Sequence, residues 1–462
     1  MTDLTTGSSL KRILSFSVPF LIGNLFQQFY NVADMVIVGR TLDPLAYTAV
    51  GSTGSLVWFA SGAIQSLTAG FAVITAQHKG AQNEENIKRS FGAGIRLSAI
   101  ISVLLSLICV IFARNILVLL DTPEDIIDRA YGYIVWIFAG LIATALYNLL
   151  SHMIRALGDS KTPLYFLIIA CVINIILDYV FIAMCGMDTD GAGLATVLAQ
   201  LLSGLLCILY IKKKHPLLHI SKRHLVWDKK MDKSLLRVGI PMAFLNMVLS
   251  VGSIVTQFVT NGLGTFYVTA QTTAAKIETF FVQPMLSLGS AVSVFAAQNY
   301  GAGKYDRVID GTKKTLYFGY LWSLVSALIM VLLGRYAVLL LAGGVSEDVI
   351  SNSYMRVVIS SLMTVFLGPL VIYKSVLQAV GRTTWTMISG FTEILARAGT
   401  AFLVLILLGG ATPISESMGF FLMCFSNPAA WLFGLLTVVF DYFGLVKRLK
   451  QGKSATKGVD KI

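Results

Sequence analysis

Ala76-Gln77-His78-Lys79-Gly80-Ala81 returns 221 positions later as Ala297-Gln298-Asn299-Tyr300-Gly301-Ala302. Two more stretches repeat at almost the same offset. Lys11-Arg12-Ile13-Leu14-Ser15-Phe16-Ser17-Val18-Pro19 aligns with Lys233-Ser234-Leu235-Leu236-Arg237-Val238-Gly239-Ile240-Pro241, 222 positions on. Arg155-Ala156-Leu157-Gly158 aligns with Gln378-Ala379-Val380-Gly381, 223 positions on. Three marks at nearly one spacing indicate a chain built of two similar halves.

The residues between the marks are overwhelmingly apolar. Apolar side chains make up 56% of the sequence, charged ones only 13%, and mean hydropathy is +0.75. A soluble domain carries about 25% charged residues, and a helix needs about 20 apolar residues to cross a bilayer. The chain therefore reads as an all-α polytopic membrane protein. Apolar length and polar breaks such as Asp43-Pro44, Thr122-Pro123 and Gly191-Ala192-Gly193 place twelve spans. They fall at 13–38, 48–75, 91–112, 131–150, 163–185, 193–211, 240–262, 277–297, 315–341, 354–378, 387–409 and 418–441. Lys11 and Arg12 before the first of these fit an uncleaved span and not a signal peptide.

Basic residues orient the spans. With Arg96, Arg335, Arg356 and Lys374 at span ends counted in the adjoining loops, the N-terminus, the loops after even-numbered spans and the C-terminal tail hold 29 of the 36 Lys and Arg; the opposite loops hold 6, and Arg397 alone is left within a span. The positive-inside rule puts both termini in the cytoplasm, as expected in a prokaryotic plasma membrane. The net charge of +12 thus reads as topology signals facing anionic headgroups and excludes nucleic acid as a partner. The five cysteines lie in or beside apolar segments without Cys-x-x-Cys spacing and read as small core residues.

Six spans per half is an even number, so the halves enter the bilayer from the same side and form parallel repeats. The expected domains are an N-terminal lobe at 10–211, a cytoplasmic linker at 212–232, a C-terminal lobe at 233–448 and a basic tail at 449–462. In such transporters the cargo site lies between the halves, and rocking alternates access to it.

Ionisable groups in hydrocarbon cost about 2.5–3.5 kcal/mol each on the insertion scale and mark function by default. Asp34 in the first span follows Pro19, where loss of a backbone hydrogen bond predicts a kink. Gln27, Gln28, Tyr30 and Asn31 lie between them. Asn174 and Asp178 stand four apart on one face of the fifth span, Thr196 opens the sixth and Tyr133 begins the fourth. Helical rise puts all of these at similar depth. A pair of carboxylates there would titrate as one coupled unit or, with Asn and Thr oxygens, hold a small hard cation such as Na⁺ at Asp34 and Asp178. The competing reading is interhelical hydrogen bonding alone. The C-terminal half places Thr256 opposite Asp34 and Arg397 opposite Asn174. Glu393 four residues before Arg397 suggests an intrahelical ion pair, and Lys276 and Glu278 read as rim charges or cavity lining.

These residues resemble the multidrug and toxic compound extrusion (MATE) family, in its DinF/MepA-like branch, over about residues 10–448. The likeness is carried by Pro19, Gln27-Gln28, Asp34 and Gly39 in the first span and by the paired Ala-Gln-x-x-Gly-Ala loops. Arg155-Ala156-Leu157-Gly158-Asp159-Ser160-Lys161-Thr162-Pro163 and Asn174-x3-Asp178 complete it. The resemblance implies a V-shaped pair of six-helix lobes and antiport of cationic or amphipathic drugs, dyes and toxins against H⁺ or Na⁺. It implies coupling-ion binding at Asp34, Asn174, Asp178 and Thr196, first-helix bending at Pro19, and cavity contacts from Gln27, Tyr133, Asn148 and Glu278. No cofactor beyond the ion is expected, and the chain is expected to act as a monomer. A lipid-linked glycan flippase of the same superfamily is the alternative, with a basic cavity as its mark. An enzyme is excluded by the lack of His-Glu-x-x-His, Gly-x-Ser-x-Gly and Walker A patterns.

Overall fold

A computed structural model describes residues 2–120, 122–341, 344–410 and 414–452, with the side chain of Asn31 outside that set. Of the basic tail expected at 449–462, the part from 453 onward lies outside the described residues. Among the described residues there is no β-strand.

The N-terminal half starts with α1 (Ser9–Thr41), an unbroken 33-residue helix through Pro19. It continues with α2 (Pro44–Ser52), α3 (Gly54–Gly80) and α4 (Glu84–Leu119). Next come α5 (Ile127–Ala139), α6 (Leu141–Ala156), α7 (Lys161–Asp178) and α8 (Thr189–Lys214). The other half comprises α9 (Lys229–Gly262), α10 (Thr265–Gly301), α11 (Tyr305–Leu341), α12 (Glu347–Ala379) and α13 (Thr384–Leu408), then α14 (Glu416–Met423) and α15 (Ser426–Lys450). Among the described residues these make twelve helical crossings, six in each half. Ten pass a test of length and hydropathy on their own, and α5 with α6 makes one more, bent by 45°. The remaining one is α1, made polar by Gln27, Gln28 and Asp34.

Several spans are broken where the sequence suggested continuous ones. The second is divided between α2 and α3, and the twelfth between α14 and α15. In the fourth, Gly140 forms the break; a Cβ there would lie 2.2 Å from Val197 of α8. The fifth span changes pitch. α7 ends at Asp178 and continues as a π-helical turn, Tyr179–Met184, a form that concentrates at functional sites.

The helices carry their large apolar residues outward. On α11, Leu321, Leu324, Leu328 and Leu332 are all more than half exposed, whereas Ser323, Ser326 and Ala327 are buried. This is the arrangement of a protein solvated by lipid: small residues let backbones approach, and big ones meet acyl chains. Cysteine follows the core expectation at four positions, but Cys185, after the π turn, is exposed.

Contacts divide the described chain into two units, one built on Ser15–Met247 with Ala297–Gly303, the other on Val248–Ala296 with the chain from Lys304 onward. Within the first unit the stretch between α8 and α9 is fastened to α4. Arg96 donates to the carbonyls of Leu225 and Val226, pairs with Asp232, and lies 4.3 Å from the Trp227 ring centroid.

The repeated glycines have specific geometric duties. Gly158 and Gly381 sit at φ +97° and +79°, just past the ends of α6 and α12. In both places the next amide donates five residues back, Asp159 to Ile154 and Arg382 to Leu377. That is the left-handed helix cap that favours glycine. Gly80 and Gly301 serve each other's motif: a Cβ on Gly80 would fall 1.8 Å from the Gln298 carbonyl oxygen, and one on Gly301 would fall 1.9 Å from that of Gln77. Gln298 also donates to the Ala156 carbonyl and Asn299 to that of Leu4. The Ala-Gln-x-x-Gly-Ala pair is thus a backbone-to-backbone crossing that no side chain fits. Gly444 in α15 has open space around it. Gly80→Ala should therefore lower the melting temperature of the purified protein by the equivalent of about 1–3 kcal/mol. Gly444→Ala should be neutral or slightly stabilising, as removing a helix-interior glycine gains about 0.5–1 kcal/mol. Equal melting points for the two variants would contradict the crossing.

Candidate functional site

Asp34 lies seven residues before the end of α1, and Asp178 is the last residue of α7. Thr196 does not open its helix as the sequence suggested; α8 starts at Thr189, so Thr196 is seven residues in. Tyr133 is six residues into α5. At 1.5 Å per residue these positions all sit about 10 Å or less from the same end of their helices. Helix packing then brings them together. α8 can reach α5 because Gly193 has no side chain: a Cβ there would stand 2.7 Å from the Tyr133 carbonyl oxygen.

The Asp34 and Asp178 carboxyl groups face each other within hydrogen-bonding reach. Tyr30 and Tyr133 stand close to both. The Tyr30 hydroxyl donates to Thr196 Oγ1 at 2.8 Å, and Asn174 Nδ2 points to the same oxygen at 3.5 Å. Asp34 is 4% exposed, and Asn174 and Asp178 are fully buried. Yet Asp34 Oδ1, Asn174 Oδ1 and both Asp178 oxygens accept no hydrogen bond from the described residues. Four buried acceptors without a donor, two of them on one carboxyl, form an unfinished arrangement. A carboxyl proton shared by the pair would complete it, and so would a small cation ringed by these oxygens. No group of three or more His, Cys, Asp or Glu able to hold a metal occurs among the described residues. Any cation bound here would rely on two carboxylates assisted by amide and hydroxyl oxygens.

The other sequence-selected residues lie elsewhere. Gln27 is partly buried on α1, and Asn148 spends its amide on the Thr144 carbonyl of its own helix at 2.9 Å. In the second unit Lys276 is exposed, but Glu278 is buried at 8% exposure and is no solvated rim charge. Thr256, at the place equivalent to Asp34, donates back to the Gly252 carbonyl.

Charge in that second unit differs from the sequence reading. Arg397 is not the lone cation within a span: Arg356 and Lys374 of α12 are also buried, at 8% and 9% exposure. Glu393 pairs with Lys374 and accepts from Ser389, so its partner is not Arg397 four residues on. Arg397 instead donates to Asn427. Arg356 and Lys374 were overlooked because they were assigned to span ends; α12 starts at Glu347, which puts Arg356 nine residues in, and Lys374, five residues from its end, is interior by burial. Asn427 carried no signal in the sequence that would set it apart.

The arrangement of helices and acids can be set beside known proteins. The MatE family model matches twice, at residues 19–180 and 241–403. The chain belongs to the MatE family. Its two matched segments follow the repeat, and the family is one of transporters, not enzymes. The probable multidrug resistance protein YoeA of Bacillus subtilis is 30% identical, covering 98% of this chain and 97% of its own. The multidrug export protein MepA of Staphylococcus haemolyticus is 22% identical over 81% of this chain and 82% of its own. A crystal structure of MATE in the bent conformation matches with a TM-score of 0.87 at 21% identity, covering 98% of each chain. The MatE fold is therefore shared at full length.

One further cluster braces the Asp34 end of this MatE chain. Arg129 holds Asp43, the N-cap of α2, at 2.7 and 2.8 Å and Asp188, the N-cap of α8, at 2.9 Å. The Arg129 hydrogen bonds, with help from the Ala46 amide, keep the Asp43 carboxyl below the usual carboxylate range. A depressed folded-state pKa adds stability above the unfolded pKa, and that stability disappears as pH falls through the folded value. Amide protection at Ala46 and Tyr47, which donate to Asp43, should thus persist as pH drops to about 4, the range of a free aspartate. Arg129→Gln should reduce protection throughout. Intrinsic-rate-corrected hydrogen exchange measures both, and loss of protection near pH 5 in the parent protein would contradict the tie.

The orphaned oxygens generate a second prediction. Asp34→Asn supplies N–H donors beside Asp178 and removes one buried charge, so it should raise the melting temperature at neutral pH, equivalent to about 1–3 kcal/mol. A lower melting temperature would mean that the pair already has its donor.

Proposed function

We propose that the chain is a secondary antiporter that expels cationic or amphipathic organic compounds from the cytoplasm in exchange for H⁺ or Na⁺. Its relatives' names, multidrug resistance protein and multidrug export protein, support the cargo class. The observation that carries the coupling is the Asp34–Asp178 pair, fully surrounded yet short of a donor. Two carboxylates in such a place hold one proton or one cation far more readily than none, since desolvation and mutual repulsion both oppose the doubly charged form.

In this reading both termini are cytoplasmic, and the Asp34 end of the helices is nearer the outside. With the lobes open outward, Asp34 and Asp178 accept the ion, and Asn174 and Thr196 orient their oxygens toward it. Loading changes the packing of α1 around Asp34, with Pro19 as the hinge. The π-helical turn after Asp178 lets α7 adjust without breaking. Gln27, Tyr133 and Asn148 contact cargo, and rocking of the halves alternates its access. Each ion moving down the membrane potential contributes about 2.3 kcal/mol per 100 mV. One or two ions can then sustain a useful gradient.

Dye efflux from proteoliposomes under separately imposed pH and sodium gradients tests the proposal. Efflux should respond to at least one gradient, and Asp34→Asn should abolish that response without loss of folded protein. Unchanged efflux by the variant would remove the pair from the coupling role.

A further inference from the structure

Five buried ionisable side chains gather inside the second unit: Glu278 on α10, Arg356 and Lys374 on α12, and Glu393 and Arg397 on α13. Lys374 and Glu393 neutralise one another, with Ser389 completing the pair. Two guanidiniums are then left to one carboxylate. Glu278 divides itself between them. Its Oε2 is 4.0 Å from Arg356 Nη2, and its Oε1 is 3.5 Å from Asn427, whose own oxygen accepts from Arg397 Nε at 3.2 Å. Neither arginine receives a close bidentate bond, which is the geometry by which a guanidinium is normally satisfied by a carboxylate.

The deficit is visible atom by atom. Arg356 Nε and Arg397 Nη1 are buried without an acceptor among the described residues, and so are the hydroxyls of Ser360, one turn along α12 from Arg356, and Ser426, beside Asn427. On the α9 side of Arg397 the residue is Gly252, where even a Cβ would approach Nη1 to 3.2 Å. Three cations against two carboxylates leave one positive charge uncompensated in hydrocarbon, and an intramembrane charge in that state needs a counter-ion. Every unpartnered group named can donate a hydrogen bond, so the missing ligand is an acceptor carrying negative charge.

We propose that Arg356 and Arg397 form an anion-binding site in the C-terminal half, taking the carboxylate or phosphate group of an amphipathic cargo. A second anion gives each guanidinium its own partner and brings the cluster to neutrality, with Ser360 and Ser426 as added donors. Glu278 is the built-in competitor that holds the arginines when cargo is absent. Calling the anion cargo rests on the export reading; the anion site itself does not.

Equilibrium binding in a neutral maltoside detergent, with no ion gradient, tests the site apart from coupling. The probes are 1-naphthoate, its uncharged counterpart 1-naphthalenemethanol, and inorganic phosphate, read by calorimetry and by thermal shift. Naphthoate should bind and the alcohol should not. Arg397→Gln and Arg356→Gln should each weaken naphthoate binding about tenfold or more, as expected for removing one charge of a buried pair. Glu278→Gln should strengthen it, because the internal competitor loses its charge. Binding of phosphate as tightly as naphthoate assigns the site to a free anion; preference for naphthoate assigns it to a charged group on an apolar body. If the arginine variants do not fold, Glu278→Gln decides alone. Weaker or unchanged naphthoate binding by Glu278→Gln, or equal binding of acid and alcohol, would overturn the proposal. Loss of efflux in Asp34→Asn with naphthoate binding intact would show the two sites failing independently.

Discussion

A carboxylate shut inside a helical bundle must find a donor, a proton or a cation, because water is not available to solvate it. Asp178, neither of whose oxygens accepts a hydrogen bond from the described residues, is the point where the N-terminal half leaves that demand open. Much of the surrounding architecture follows from keeping the failure in place. Gly193 admits α8 to the Tyr133 backbone, Tyr30 occupies the Thr196 hydroxyl, and a π turn follows Asp178 directly. Fully hydrogen-bonded polar networks rigidify a core. This one is left incomplete.

The two halves share a fold and differ in chemistry. Where the first has Asp34, the second has Thr256 bonded to its own helix; where the first has Asn174, the second has Arg397. Duplication preserved what the backbone needs, the caps at Gly158 and Gly381 and the crossing at Gly80 and Gly301. It did not preserve interior charge. Around Asp34 and Asp178 buried acceptors lack donors, and around Arg356 and Arg397 buried donors lack acceptors, among the described residues.

The fold was legible because lipid imposes length and hydropathy on every crossing, and because the repeated glycines are dictated by backbone geometry. The acid cluster was legible for a related reason: Asn174 and Asp178 share a helical face, and equal distances from the helix ends put Asp34 and Tyr133 level with them. The basic cluster was not. Arg356 and Lys374 lie near the limits of an apolar run, where a positively charged residue ordinarily signals the membrane surface. The earlier start of α12 shows Arg356 to be interior, and burial against neighbouring helices shows Lys374 to be so. Spacing also misassigned Glu393, since a residue four positions away competes with any cation a neighbouring helix supplies. The need for glycine at the Gly140 break comes from Val197 on another helix, which no local pattern carries.

Arg129 joins the starts of α2 and α8 to α5 through two aspartates. Since Asp43 surrenders its charge only to stronger acid than an ordinary carboxylate does, mild acidity arriving at that end leaves the fastening intact. On the proposed antiport reading, filling the acids and loosening the rim are separate events with separate triggers. In that reading the Arg129 tie stays a fixed collar, and movement falls further along the helices, at Pro19, Gly140 and the wide turn beyond Asp178.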